Sequence, residues 1–418
     1  MDNKYVINWE KYASLARQAA AEGAVLLKND HRALPLGEET VSVFGRIQFH
    51  YYKSGTGSGG LVNTKYVVSI NDALQEEENL TVNEELAEVY RSWIAEHPFD
   101  QGSGWAQEPW SQEEMPLDEK LVREAASKSD AAVVVIGRTA GEDRDASADK
   151  GSYLLTDLEE DMLDQVCRAF KRVIVVLNVG NIIDMKWVEK YNPSAVLYTW
   201  QGGQEGGHSV ADVLTGRVNP CGKLADTIAR DISDYPSTEN FGGETSDIYA
   251  EDIYVGYRYF ETFAKDKVLY PFGFGMSYTD FRVDCSPAVH QDGETTVRVK
   301  VTNTGTFAGK EVVQVYVNPP QGKLGKPFRN LAAFAKTKCL SPGETQELVL
   351  TFTDYYISSY DDSGVTGHKS CYVLEQGRYE IFTGTDVRSA QAAGSFEAAE
   401  TMVASVCTEA AGPVQKFK

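Results

Sequence analysis

Two kinds of hydrophobic pattern divide this chain. Continuous apolar runs without polar alternation, at Ala131–Gly137 and Val173–Asn178, predict strands that are covered on both faces of a sheet. Between them, Thr156 followed three residues later by Glu159 has the form of a capping box, which predicts a helix ahead of Met162. Strand, helix and strand at this spacing predict a doubly wound α/β layer with a mostly parallel sheet.

The second pattern has a period of two and begins after about residue 281. Thr295–Thr302 and Glu347–Phe352 alternate between apolar and polar side chains, and turn residues such as Asn303–Gly305 separate such runs. This arrangement predicts an all-β sandwich, immunoglobulin-like in class. The end of the chain is rich in Ala, Glu, Ser and Gly and has weak periodicity, which is typical of a linker. We therefore predict an α/β domain over residues 1–281, a β-sandwich over 282–389, and a linker or docking arm over 390–418.

Charge and composition exclude several classes of function. The 40 Lys and Arg residues against 61 Asp and Glu residues give a net charge of -21, which argues against nucleic-acid binding and against docking on anionic membranes. No apolar stretch approaches the roughly 18 residues of a spanning helix, and no signal peptide is visible. The six cysteines are scattered without a CxxC motif, so neither a disulfide framework nor a zinc site is expected. Six reduced thiols favour a cytoplasmic location.

A glycine-rich segment, Gly55–Gly60, satisfies the G-x-G-x-x-G pattern of dinucleotide-binding proteins. That fingerprint requires a strand immediately before the glycines and a helix immediately after them. Here nine residues separate Gly45, at the end of the preceding apolar run, from Gly55, and the following segment is not helical in pattern. A nicotinamide or flavin site is therefore disfavoured. Two interpretations stay open: a flexible surface loop, and a loop whose bare backbone approaches a ligand closely.

Charged loops follow two of the predicted strands. The loop Arg138–Asp145 comes directly after a buried strand, where doubly wound sheets bind their ligands, so Glu142 is a candidate catalytic carboxylate. The plain alternative is a solvated charged loop. Glu205 lies in a second such loop, where it is either catalytic or a stabilising charge at a helix N-terminus. Trp105 and Trp110 lie in a stretch with little regular structure, where exposed rings could stack on a sugar and partial burial is the alternative.

Several of these segments together resemble glycoside hydrolase family 3, the β-glucosidase family. The resemblance extends over nearly the whole chain to about residue 390 and implies a family-three α/β sandwich domain followed by a fibronectin type III-like domain. The segments that carry it are Ala20–Asn29, Gly141–Glu142, Gln201–Gly207, Ile253–Phe260, Tyr270–Thr279, Val301–Gly305, Ala308–Val317 and Leu331–Lys338.

One departure from the family changes the expected function. Family enzymes carry a (β/α)₈ barrel with a nucleophilic aspartate, typically in a Ser-Asp-Trp setting, and this tripeptide does not occur here. The short segment before the first matching helix and the connector-like tail are similar to the reversed domain order known in the family. The resemblance thus implies the front half of an enzyme whose barrel is fused downstream or is a separate chain.

The resemblance also implies roles for individual residues. It makes Glu142 the general acid/base of a retaining mechanism, in which the two carboxyl groups stand about 5 to 5.5 Å apart. Without the barrel we expect Glu142 to be an ordinary exposed carboxylate on a mobile loop, since burial and the nucleophile's charge are what would raise its pKa. The resemblance implies no catalytic role for Asp143, Arg144 and Asp145. Leaving-group contacts are expected from the glycine-rich loop and the two tryptophans, namely Ser54, Gly55, Thr56, Gly57, Ser58, Trp105 and Trp110.

The expected activity is hydrolysis of terminal non-reducing β-D-glucosyl residues of cellobiose, short cello-oligosaccharides and aryl glucosides, as in cellulose degradation. No metal or organic cofactor is needed, because carboxyl groups carry out both proton transfer and covalent catalysis. The alternatives are half of a β-xylosidase or N-acetylglucosaminidase of the same family, and a carbohydrate-binding or scaffolding module without hydrolytic activity. If Glu142 is not the acid/base, Glu205 is the next candidate.

Overall fold

The computed structural model describes residues 7–60, 62–142, 146–242, 245 and 248–409. The chain divides into two compact units, Met1–Gly222 with Gly275–Tyr278, and Lys223–Phe274 with Thr279–Lys418. This division differs from the predicted boundary after residue 281. The physical reason lies in Tyr257, which packs in a small cluster with Tyr316 and Val387 of the second unit, so the segment before residue 275 belongs to that unit.

The first unit alternates helices and strands. In chain order its elements are α1 (Trp9–Gly23), β1 (Val25–Asn29), β2 (Glu39–Phe44), α2 (Ile70–Gln75), β3 (Leu80–Val82), α3 (Glu84–Glu96), α4 (Glu119–Lys128), β4 (Ala131–Arg138), α5 (Asp157–Ala169), β5 (Val173–Val179), α6 (Trp187–Tyr191), β6 (Ala195–Tyr198) and α7 (Gly206–Leu214).

Six strands form one sheet in the order β1-β6-β5-β4-β2-β3. All neighbouring strands are parallel except β1 and β6, which are antiparallel. Every residue of β4, β5 and β6 is buried, as continuous apolar runs require in a sheet covered on both faces. The predicted doubly wound, mostly parallel α/β sheet is confirmed.

Helix α5 begins as its sequence predicts. The Thr156 side chain accepts a hydrogen bond from the backbone N–H of Glu159, and the Glu159 carboxylate accepts one from the backbone N–H of Thr156. Two backbone N–H groups at the start of the helix are therefore satisfied locally. This capping box fixes where the chain re-enters helix after the Glu142 loop, so it also sets the length of that loop.

The second unit consists mainly of antiparallel strands. Its elements are β7 (Ile228–Ala229), α8 (Tyr257–Phe263), β8 (Val268–Tyr270), β9 (Phe281–Cys285), β10 (Val289–Gln291), β11 (Glu294–Asn303), β12 (Val312–Asn318), β13 (Asn330–Lys336), β14 (Thr345–Thr353), α9 (Asp354–Ile357), β15 (Ser359–Asp361), β16 (Cys371–Leu374), β17 (Gly377–Gly384), β18 (Gln391–Ala398) and β19 (Met402–Val406).

Two four-stranded sheets enclose the main core of this unit. One sheet has the order β10-β11-β14 with β9 paired to β11, and the other has the order β13-β12-β17-β18. Along β11, Val297, Val299 and Val301 are buried while Arg298 and Lys300 are exposed, which is the predicted period of two. The valines pack in one core cluster with residues of β12, so the predicted β-sandwich is confirmed.

The end of the chain differs from the predicted linker. Gln391–Ala398 pairs with β17, and Met402–Val406 pairs with β16. Alanine and glycine have low strand propensity, which is why the composition did not indicate strands, but pairing with neighbours overrides that local preference. Buried Ala393 and Ala398 pack into the core of the sandwich. Residues 410–418 lie outside the described part, and a docking role for this segment stays a prediction.

Among the described residues, no helix combines the length and the apolar character that a membrane crossing requires.

Candidate active site

Glu142 lies four residues beyond the end of β4, outside the carboxyl edge of the sheet. Strand β4 lies between β2 and β5 and is fully buried, whereas Glu142 itself is exposed. This change from a buried strand to an exposed loop positions a carboxylate where doubly wound sheets place their ligands. Glu142 is exposed as predicted, but its pKa is lowered by Ser58, so it is not the ordinary carboxylate that was expected. Its mobility stays a prediction. The neighbouring Asp143, Arg144 and Asp145 lie outside the described residues.

The carboxylate of Glu142 has one described partner in the glycine-rich loop. Its Oε2 atom accepts a hydrogen bond from the backbone N–H of Ser58 at 2.6 Å. The Ser58 hydroxyl and this N–H both favour the charged form and lower the pKa of Glu142 below its ordinary value. In this state Glu142 is a charged hydrogen-bond acceptor, which is the resting form of a base rather than of an acid.

The glycine-rich loop lies directly against the Glu142 loop. The Thr56 N–H donates to the Ala140 carbonyl at 2.5 Å, and Thr56 and Gly141 form an isolated parallel bridge. A Cβ on Gly55 would lie 2.0 Å from the Ala140 oxygen, and one on Gly57 would lie 2.6 Å from the Glu142 Cβ. The glycines therefore permit a close backbone approach, and the partner seen here is the Glu142 loop itself.

The two tryptophans differ in their surroundings. Trp105 is 51% exposed. Trp110 is half-buried, and its carbonyl accepts the Thr139 N–H at 2.9 Å, at the start of the Glu142 loop. The structure thus places the Trp110 backbone beside the Glu142 loop and leaves the Trp105 ring accessible to a ligand.

Glu205 is buried in a network of side chains that includes Tyr66, His208 and Glu76. Its carboxylate accepts a hydrogen bond from the Tyr66 hydroxyl, and its Oε2 atom lies 2.6 Å from Nδ1 of His208. Nε2 of the same histidine lies 2.9 Å from the Glu76 carboxylate. These contacts fix the position of the Glu205 carboxylate, and its catalytic role stays an alternative prediction. Tyr66 and Glu76 carry no sequence signal for this network, because their partners are distant in the chain.

Sequence reasoning also missed a buried cation beneath the Glu142 loop. Arg138, the last residue of β4, is buried and pairs with Glu159 at the start of α5. It also donates to the carbonyl oxygens of Ser152, at 3.0 Å, and Leu154, at 3.3 Å, which lie where the loop returns toward α5. Of the two residues of this ion pair, only Glu159 had a sequence signal, as the third helical residue of a capping box. Nothing in the sequence indicated that Arg138 is its partner.

The fold and this loop arrangement define the class of protein. Residues 24–278 match the glycosyl hydrolase family 3 C-terminal domain, and residues 311–387 match the fibronectin type III-like domain. The chain belongs to glycosyl hydrolase family 3, as its resemblance implied.

Individual relatives are β-glucosidases. The chain is 52% identical to a β-glucosidase of Ruminococcus albus over 413 residues, which cover 99% of this chain and 43% of that protein. It superposes on the crystal structure of a β-glucosidase from Paenibacillus barengoltzii with a TM-score of 0.94 at 52% identity, covering 98% of this chain and 46% of that one. It superposes on the structure of β-glucosidase 3B from Thermotoga neapolitana in complex with α-D-glucose with a TM-score of 0.85 at 39% identity. That match covers 95% of this chain and 55% of the other. The chain spans about half the length of the relatives it matches.

Proposed function

We propose that this chain supplies the general acid/base of a retaining β-glucosidase that removes terminal non-reducing β-D-glucosyl residues. The observation that carries the proposal is Glu142, an exposed carboxylate held by the Ser58 N–H at the carboxyl edge of a parallel sheet. The similarity to β-glucosidases over nearly the whole chain supports the reaction class. Cellobiose, short cello-oligosaccharides and aryl glucosides are the proposed substrates, and cellulose degradation is the proposed process.

In the proposed reaction Glu142 acts twice. It first donates a proton to the glycosidic oxygen as the leaving group departs and a carboxylate nucleophile bonds to the sugar's anomeric carbon. It then removes a proton from the water that hydrolyses this glycosyl-enzyme intermediate. We infer that the nucleophile is an aspartate on a (β/α)₈ barrel outside these 418 residues.

The acid step requires a protonated Glu142, whereas Ser58 lowers its pKa in this chain. Partial burial and the nucleophile's negative charge in the assembled site act in the opposite direction and raise the pKa of a carboxyl group. We propose that the glycine-rich loop, residues 54–58, contacts the leaving group through Ser58, which is exposed, and through the half-buried Ser54 and Gly55, since Thr56 and Gly57 are buried. The accessible ring of Trp105 is the proposed platform for stacking.

A chimera tests the role of Glu142. In it, this chain replaces the matching segment of the Ruminococcus albus β-glucosidase, and the reference is the chimera without further change. We expect Glu142→Ala to reduce hydrolysis of aryl β-glucosides by about 10²-fold or more, with the largest loss for poor leaving groups. Azide should restore turnover on substrates with good leaving groups, because this anion attacks the glycosyl-enzyme without a base and releases a glycosyl azide. Unchanged turnover in Glu142→Ala contradicts the assignment.

The chain by itself tests the location of the nucleophile. We expect no hydrolysis of an aryl β-glucoside by the purified 418-residue chain, because it would hold only one of the two carboxyl groups. Cleavage that persists after stringent purification contradicts this division. Aryl β-xylosides and N-acetylglucosaminides, assayed in the chimera beside the glucoside, show whether the sugar assignment is wrong.

A further inference from the structure

A cleft in the second unit is lined by tyrosines and has no part in the proposed reaction. Its cavity volume is about 480 Å³, which is within the range of small-ligand sites. We call it the tyrosine cleft. Its aromatic and polar lining consists of three tyrosines and six other polar residues, namely Tyr356, Tyr360, Tyr372, Asp252, Arg258, Asn330, Ser358, Ser359 and Asp362.

Short elements hold the tyrosines outward. In α9, Ile357 is buried in the core while its neighbour Tyr356 is 69% exposed. In β15, Asp361 is buried and accepts backbone N–H groups of Gly364 and Thr366, at 2.6 and 2.8 Å, so the preceding Tyr360 points to the opposite side and is 40% exposed. A buried neighbour on the same short element therefore turns each of these two exposed rings outward.

The rings form a stepped platform. Tyr360 and Tyr372 lie side by side with ring centroids 5.3 Å apart and an angle of 54° between their planes. Behind the cleft, Tyr355 links this pair to Tyr356: its ring centroid lies 5.1 Å from that of Tyr372, at an interplanar angle of 60°, and 6.0 Å from that of Tyr356, at 75°. Tyr355 itself does not line the cleft. Exposed aromatic rings that cluster beside polar groups are typical of binding surfaces, so this group of tyrosines points to one.

The polar groups of the cleft suit a neutral ligand rich in hydroxyl groups. Arg258 donates from Nε to the Asn330 side chain at 3.2 Å, which orients the guanidinium and the amide together. Asp252 and Asp362 are exposed carboxylates on the rim. Two acceptor carboxylates outnumber the one guanidinium, so the cleft does not favour an anion. Carboxylate, amide and guanidinium groups each bond readily to sugar hydroxyls.

We propose that the tyrosine cleft binds a neutral oligosaccharide, with pyranose rings stacked on Tyr356 and Tyr360 and hydroxyls bound by Asp362, Arg258 and Asn330. This is a binding site beyond the proposed hydrolysis, and it does not depend on Glu142. Proline-rich peptides also bind aromatic grooves. They offer few hydroxyl donors for the rim carboxylates, so the cleft chemistry favours a saccharide.

The 418-residue chain itself can be tested by calorimetric titration with cellotetraose, xylotetraose and laminaritetraose. We expect at least one to bind with a dissociation constant below about 5 mM. Tyr356→Ala and Tyr360→Ala should each weaken this binding at least about fivefold, since each removes a stacking face. Phe334→Ala is the matched control, because Phe334 is equally exposed at 69% in the same unit and does not line the cleft.

Two further measurements decide where a saccharide binds. NMR shift mapping should place it at the cleft in the unaltered chain, whether or not the tyrosine variants fold. Glu142→Gln should retain the binding even if it abolishes hydrolysis in the chimera, which separates this proposal from the proposed function. The proposal is overturned if none of the three sugars binds at a concentration tenfold above the expected limit of about 5 mM for the dissociation constant. It is also overturned if a sugar binds but its shift changes map to another surface. Binding of a proline-rich decapeptide, with no sugar bound, overturns it as well.

Discussion

Arg138 and Glu159 form a buried, bidentate ion pair beneath the Glu142 loop. The guanidinium Nη1 and Nη2 atoms lie 2.5 and 2.6 Å from the two carboxylate oxygens, and both residues are almost inaccessible to solvent. Arg138 is the last residue of β4 and Glu159 is the third residue of α5, so the pair joins the two elements between which the loop runs. This buried ion pair therefore holds together the two ends of the loop that carries the proposed acid/base residue.

Removing one partner of this pair should be costly. Arg138→Met leaves a buried carboxylate without its cation, and we expect the free energy of unfolding to fall by about 3–5 kcal/mol. Urea denaturation measures this change. Lys120→Met, which breaks the exposed Lys120–Glu124 pair, is the control and should cost less than about 1 kcal/mol. Equal losses in the two variants contradict the structural role of Arg138.

A methyl group on Gly57 should separate the glycine-rich loop from the Glu142 loop. Gly57 has φ +78° and its added Cβ would lie 2.6 Å from the Glu142 Cβ, so Gly57→Ala combines backbone strain with a clash. Gly343→Ala isolates the strain, since Gly343 has φ +81° and nothing within 4 Å of its added Cβ. We expect Gly343→Ala to cost about 1 kcal/mol of stability.

Gly57→Ala should cost more than this control and should also move the NMR signals of the Glu142 side chain. Identical stability losses and unmoved Glu142 signals show that the two loops do not touch in solution.

The pKa of Glu142 should depend on Ser58. The hydroxyl of Ser58 is the larger cause of the lowered pKa and its N–H is the smaller one. Ser58→Ala should therefore raise the pKa toward its ordinary value, and Ser58→Thr, which keeps a hydroxyl, should not. Because the folded pKa is lowered, this interaction stabilises the fold above the ordinary glutamate pKa and is lost as the pH falls through the lowered value. NMR titration of the Glu142 carboxyl carbon measures this pKa in the unaltered chain, in Ser58→Ala and in Ser58→Thr. The same pKa in all three proteins refutes the dependence on Ser58.

Glu114 should impose a pH dependence on stability. Burial raises its pKa to about 7, against the hydrogen bonds it accepts from the backbone N–H groups of Met115 and Arg46. Since the unfolded chain loses this proton first, stability should fall by about 3 kcal/mol as the pH rises from 4.5 to 7, and change no further above that range.

Glu114→Gln should remove this slope, because glutamine does not titrate, whereas Glu96→Gln at an exposed position of α3 should keep it. Urea denaturation at pH 5 and pH 8 gives the comparison. A slope that persists unchanged in Glu114→Gln shows that the carboxyl group is already charged in the folded protein at low pH.

The local sequence pattern was sufficient to predict the buried strands, the alternating strands and the start of α5. Continuous burial of β4 and β5, the alternation along β11, and the Thr156–Glu159 capping box each depend on residues within one turn or one strand. The position of Glu142 at the end of a buried strand followed from the same local information, because parallel strands share one carboxyl edge.

The contacts of the candidate site needed tertiary structure. Ser58 and Glu142 are 84 residues apart, and Tyr66 and Glu205 are 139 apart. The local sequence pattern around any of these residues does not indicate which residue it contacts. The strand Gln391–Ala398 forms because β17 offers an edge to pair with, although its own alanines and glycine favour other conformations. By itself, the sequence thus determined which strands are buried and which loop carries the carboxylate. Only the folded chain decided what that carboxylate contacts, because long-range pairing and burial depend on segments that local propensity cannot bring together.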